Sequence, residues 1–271
     1  MFTYSFTIWI FIFYIYCFLG WIVESSIVSI RTRKLVNRGF LKIPMLPIYG
    51  FGAVMMLFVS LPIKDKPILI YFAGMIAATL LEYIAAVLIE NIFKIKYWDY
   101  TEDKFNFQGR ICLESSLFWG VLSVALTLFI HKPVENFVLS LKSNTITIIV
   151  FIISIIFLID FFISAKKALD LNKLLSFIDK VKIETENLKV QIENKSKDYK
   201  ALIPKIENLN KDYQDLLIKF KSKYSNMLIN YPRAKSLRFN DTFKILKDKY
   251  KELMKDKCKK HKKAKCECGC K

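Results

Sequence analysis

The stretch that decides the fold is the first long one: FTIWIFIFYIYCFLGWIVESSIVSI, residues 6–30. It contains a single ionisable residue, Glu24, and is long enough for a helix to cross about 30 Å of hydrocarbon at about 1.5 Å per residue. No basic residue precedes it and no small-residue cleavage site follows. It therefore reads as a retained membrane helix and not as a signal peptide. Four further apolar runs follow, giving expected helices at residues 44–61, 67–90, 110–130 and 145–165. Local chemistry sets the breaks. Arg31, Arg33 and Lys34 end the first helix. Pro62 and Lys64-Asp65-Lys66 end the second, and Pro67 opens the third at its first position. His131-Lys132-Pro133 is expected to end the fourth. Pro44, Pro47, Gly50 and Gly52 make the first half of the second span a poor helix. A re-entrant path is open there, provided other protein meets its free backbone groups.

The charge divides the chain in two. Residues 1–165 carry 13 Lys/Arg and 10 Asp/Glu, a net +3; residues 166–271 carry 29 and 14, a net +15. The expected fold is thus all-α: a polytopic membrane domain of about five helices over residues 1–165, then a cytoplasmic helical tail. Loop 31–43 holds five basic residues and no acidic one. With the basic tail, it predicts a multi-pass cell-membrane protein with its N-terminus outside and its C-terminus in the cytoplasm.

The tail has its own pattern. Apolar residues step 3, 4, 3, 4 from Leu171 to Met227, interrupted in chemistry by Thr185, Lys195 and Lys223. The mixed Ile, Tyr and Phe column beside a mainly Leu column leans towards a parallel two-stranded coil, hence a homodimer through residues 171–227. The other reading is an amphipathic helix packed on its own chain, which Pro204 favours. A heptad-patterned helix is expected over 166–230 and a basic Cys/Lys-rich segment over 231–271. Its lysines suit the anionic headgroups of membrane lipids. No DNA- or RNA-binding signature is present, so nucleic acid is not an expected partner. Cys258, Cys266, Cys268 and Cys270 with His261 form a candidate soft-metal set. Their C-x-C-x-C spacing departs from the C-x2-C of zinc sites, and no other cofactor is expected.

Ionisable residues inside membrane spans are costly and mark candidate sites. Glu24 lies about 9 Å from the end of its helix. Glu82, Glu90, Glu114 and Asp160 are the others. Asn37, Arg38, Trp98, Asp99, Tyr100, Asn106 and Arg110 occupy the two loops at the same end. Glu24, Asn37, Arg38, Glu82, Glu90, Asp99, Asn106, Arg110 and Glu114 are therefore expected to form one polar site facing the cytoplasm. Plainer readings stand beside this one. Arg110 and Glu114, four apart, can pair along one helix. Asp160 can reach water beside Lys166 and Lys167, and Trp98 and Tyr100 fit an interfacial aromatic belt. Glu24 and Glu82 have no basic residue within a turn, so each needs a partner from another helix, a cavity, or a bound proton with a raised pKa.

The motifs GWIVES at 20–25, NRGFLKIPMLPIYGFG at 37–52, EYIAAVLIENIF at 82–93, YWDYTEDKFNFQGRICLESSLFWG at 97–120 and HKP at 131–133 carry a resemblance. In this order, over about residues 8–135, the chain resembles the putative ABC-transporter type IV permease-like family of bacterial membrane proteins. The resemblance implies a transporter membrane subunit that works with a separate ATPase. The chain lacks the G-x-x-x-x-G-K-[ST] phosphate loop, so it is not its own P-loop ATPase. Two other functions are open on the residues alone. One is a membrane enzyme using Glu24, Glu82 and Glu114 on a lipid-linked substrate, with Arg38 and Arg110 holding phosphate. The other is a scaffold acting through the tail. No metalloprotease or serine-hydrolase motif supports the first.

Overall fold

A computed structural model of the chain describes residues 4–32, 36–193, 199–231 and 233–248. The described residues are mostly helical: α1 (Phe6–Thr32), α2 (Pro47–Ser60), α3 (Pro67–Phe93), α4 (Leu113–Ala125), α5 (His131–Ser140), α6 (Ser143–Glu193) and α7 (Tyr199–Asn230). Four two-residue strands accompany them: β1 (Ile95–Lys96), β2 (Asn106–Phe107), β3 (Ile111–Cys112) and β4 (Lys235–Ser236). The chain divides into two compact units. The first comprises residues 1–92 and 98–167, the second residues 93–97 and 168–271.

Among the described residues, four helices are long and apolar enough to cross a membrane: Phe6–Ile30, Pro67–Phe93, Leu113–Ser140 and Ser143–Gln191. About five helices were expected, with a re-entrant path open at the second, and it is the second that falls short. Even with the 3-10 turn Leu61–Ile63, the apolar helix runs only Pro47–Ile63. That is about 25 Å at 1.5 Å per residue, short of the hydrocarbon thickness. The cause is the segment before it. Pro47 sits in the first turn of α2, and residues 39–46 stay non-helical. The Leu46 N–H donates to the carbonyl of Cys17, midway along α1, at 2.9 Å. The chain therefore enters the bundle before α2 begins. Irregular backbone is tolerated at such depth only when protein satisfies it. Asp160 of α6 does so, its Oδ2 accepting from the backbone N–H groups of Lys42 (2.7 Å) and Ile43 (3.0 Å). Asp160 is buried in this role; it does not reach for water beside Lys166 and Lys167.

Small residues let the helices close. Added Cβ atoms would strike the Tyr49 ring at Gly20, Cys17 Sγ and the Phe13 ring at Gly50, and the Ser123 side chain at Gly74. Gly20 and Gly50 thus seat α1 against α2, and Gly74 seats α3 against α4. The aromatic core includes Phe11, Tyr14, Tyr16, Met56, Leu57, Leu126 and Val138.

The fourth span does not end at His131-Lys132-Pro133, as expected, but continues to Ser140. The turn Leu126–Ile130 widens to a π-helix, with the His131 N–H donating to the carbonyl of Leu126. Pro133 has no N–H, and its ring crowds the carbonyl four residues back, in Phe129. The wider turn falls over that carbonyl and lets the helix pass the proline.

The second unit holds the part of α6 from residue 168 onward. α7 folds back antiparallel to it. Lys223 pairs with Asp170 at 3.0 Å and Lys205 with Glu184 at 3.2 Å. Leu171, Leu175, Ile178 and Leu188 are buried along α6, with Phe220 and Tyr224 on α7 and Phe243 and Leu246 beyond it. Thr185, a break in the apolar seam, is buried and donates to its own helix at Val181 O, 2.7 Å. The reading as amphipathic helices packed on their own chain therefore describes these residues. Strand β1 pairs antiparallel with β4, Ile95 opposite Ser236, and Asn172 Nδ2 donates to the carbonyl of Phe93. Cys258, His261, Cys266, Cys268 and Cys270 lie outside the described residues.

Candidate functional site

The sequence left Glu24 and Glu82 needing a partner, a cavity or a bound proton, and the structure supplies partners. Glu24, half-buried on α1, meets Arg38 from the following loop, with Arg38 Nε 3.0 Å from Oε2. The Tyr49 hydroxyl at the start of α2 donates to the other oxygen at 2.6 Å. The re-entrant path before α2 is what brings Tyr49 back to α1. The Arg38 N–H donates to Ser25 Oγ at 3.3 Å, and Trp21 Nε1 donates to Asn37 Oδ1 at 2.7 Å. The motif at 20–25 thus clasps the loop at 37–38.

Glu82, buried on α3, is treated differently. The Tyr100 hydroxyl donates to Oε1 at 3.0 Å and Trp119 Nε1 donates to Oε2 at 2.9 Å. Ser115 Oγ stands 3.5 Å from the same Oε2. All three partners are neutral. Tyr100 lies in the loop between spans. Burial, with the Glu82 charge and hydrogen bond added, pushes its phenol above the ordinary range, so it stays a protonated donor. The Glu24 and Glu82 groups both lie in the first unit.

The third group is Glu90 with Arg110. Arg110 Nη2 lies 2.6 Å and Nε 3.0 Å from Glu90 Oε2. Arg110 also reaches the hydroxyl of Tyr83 and the side-chain oxygen of Gln108. The loop is built to deliver it. Strands β2 and β3 pair with Asn106 opposite Cys112. Gly109 takes a φ of +66° at the tight return, where Asp99 leaves no room for a side chain. Asn106 Oδ1 accepts from the Gly109 N–H at 3.0 Å, and Trp98 Nε1 donates to the carbonyl of Arg110 at 3.0 Å.

The profile of the family described as "Putative ABC-transporter type IV" matches residues 11–165. The chain belongs to this family. The match takes in the whole polar end, from Glu24 to Asp160, and reaches beyond the 8–135 expected from motifs to include the membrane part of α6. No curated protein and no solved structure matches the chain. The ABC-transporter-type assignment and the four long apolar helices together make it a membrane protein of a transport family.

Within this family member, the nine expected site residues separate into three kinds. Glu24, Arg38, Glu82, Glu90 and Arg110 form the three groups just described. Asn37, Asp99 and Asn106 build the loops. Asn37 Oδ1 also accepts from the Gly39 N–H at 3.0 Å, and Asp99 Oδ1 accepts from the Thr101 hydroxyl at 2.5 Å. Glu114 is exposed in the first turn of α4. Arg110 does not pair with Glu114, as the spacing of four suggested. The helix begins only at Leu113, so the two residues do not share one.

Sequence reasoning did not single out Tyr49, Trp119 or His131 as site residues. That histidine is buried at α5, with its ring nitrogens 3.1 Å from the hydroxyls of Tyr4 and Tyr16. Tyr4 in turn donates to Glu135. The HKP motif was in view, but it read only as a helix end. Among the described residues, no group of three His, Cys, Asp or Glu is placed to hold a metal ion.

Proposed function

We propose that this chain is the permease-like membrane subunit of an ABC-type transporter, with the polar end around Glu24, Glu82 and Glu90 handling the substrate. The observation that carries the reading is Glu82, a buried carboxylate in the family-matched region held only by neutral donors. A charge kept in a membrane span at such cost is retained for function more often than for packing. The chain has no phosphate loop of its own, so a separate ATPase would supply the energy. The loops at 31–46 and 94–112 are its docking surface. By the basic-loop rule that end faces the cytoplasm, with the N-terminus outside. Two copies form the pathway, and the lysine-rich tail adds contacts to anionic lipid headgroups.

The test is a mild-detergent pull-down of the full chain from its native cells, with native mass and protein identification. An ATPase subunit at fixed stoichiometry supports the proposal. A chain isolated reproducibly without any ATPase overturns it.

A further inference from the structure

Among the carboxylates buried or half-buried in the membrane helices, Glu82 is held differently from the rest. Glu24 has Arg38 at 3.0 Å and Glu90 has Arg110 at 2.6 Å. Asp160 has two backbone N–H groups at 2.7 and 3.0 Å. Glu82 is 7% exposed, and among the described residues no cation faces it. A carboxylate has about four acceptor positions. The Tyr100 and Trp119 bonds occupy one on each oxygen, and Ser115 Oγ spends its best hydrogen bond on the Cys112 carbonyl at 3.0 Å. Acceptor capacity remains, and among the described residues no cation is placed to offset the charge of the ionised group.

We propose that Glu82 is the recognition point for an organic ammonium group on the transported substrate. The surroundings select among cations. Sodium, potassium and calcium need several oxygen ligands at once. Among the described residues no three His, Cys, Asp or Glu side chains are placed to hold a metal ion. A protonated amine needs only one carboxylate, to which its N–H groups form charge-assisted hydrogen bonds. Its alkyl part is at home beside the Trp119 and Tyr100 side chains, which already touch the carboxylate. The two indole and phenol donors fix the carboxylate in place, so binding costs little reordering. Entry is from the end where Tyr100 lies, in the loop that closes over Glu82.

This inference rests on reading the Glu82 end as the substrate-handling site, but its test does not use the ATPase. Titration calorimetry on the purified full chain in detergent would use n-propylammonium as the probe. Saturable binding at one per chain is expected. Glu82→Gln is expected to weaken it about tenfold or more, and Glu82→Asp to give an intermediate loss. The exposed Glu114→Gln should bind as the unmodified chain does. Helix content and elution profile confirm that each variant is folded, and Glu82→Asp carries the test if the glutamine variant is not. No saturable binding, equal binding by a folded Glu82 variant, or full displacement by equimolar potassium would each overturn the proposal. Ammonium binding without a co-purifying ATPase would keep this inference and remove the ATPase-coupled reading.

Discussion

Arg110 and Glu90 are separated by 20 residues of chain, yet Arg110 Nη2 lies 2.6 Å from Glu90 Oε2. The pair ties the loop before α4 to the last turns of α3. Glu90 is buried, so removing Arg110 strands a charge that water cannot reach. Arg110→Met is expected to cost about 3 kcal/mol, and the double change Arg110→Met with Glu90→Leu to recover most of it. Thermal unfolding of the four proteins of the cycle checks this. Losses that simply add would show that the two residues are not coupled.

Asp160 holds the re-entrant segment by two backbone N–H groups. Asp160→Ala leaves both unmet at membrane depth, at about 1–3 kcal/mol each. The segment should loosen locally before the helices do. Lys42 is exposed, so trypsin cleavage there gives the readout. Faster cutting in Asp160→Ala, with a smaller effect in Asp160→Asn, is expected; an unchanged cleavage rate would refute the pinning role.

Gly74 faces the side chain of Ser123 with no space for a methyl group. Gly74→Ala should push α3 from α4 and cost about 1–3 kcal/mol. Ser123→Gly, which clears the facing side chain, should restore part of the loss. Unfolding temperatures of the single and double variants are the measurement, and absence of any rescue would count against this contact.

The hydrogen bonds around His131 determine its tautomer. Tyr4 donates its only proton to Glu135, so its oxygen must accept from His131 Nε2 at 3.1 Å. The neutral ring then carries its proton on Nε2, and Nδ1 accepts from Tyr16 at 3.1 Å. Nitrogen-15 NMR of labelled protein should report the Nε2–H form. The opposite tautomer would contradict this arrangement. His131→Leu, which leaves the Tyr16 hydroxyl without its acceptor and takes from Tyr4 its donor, should cost more than Tyr16→Phe, by about 1–2 kcal/mol.

Much of the membrane domain was legible because its signals are local. A run such as residues 6–30 needs only its own length and hydropathy to be read as a span, and Pro67 marks its helix start by geometry alone. The tail was legible as helix by its period, but not in its partner. An apolar seam demands cover and says nothing about whose atoms supply it. The antiparallel return of α7, with Lys223 at Asp170 and Lys205 at Glu184, answers that within one chain.

What the sequence by itself determined was the set of costly groups: the carboxylates in spans, the basic loop, and the prolines that weaken the second helix. What only the tertiary structure decided was who meets whom. Asp160 pairs with the backbone of residues 42 and 43, more than a hundred residues away. Glu24 finds Arg38, and Arg110 finds Glu90 where sequence spacing had offered Glu114. Tyr49 and Trp119 donate to the carboxylates of Glu24 and Glu82, contacts that no local pattern announced. The physical reason is that burial makes every unpaired charge and N–H expensive, whereas the partner that relieves it is chosen by how the helices pack.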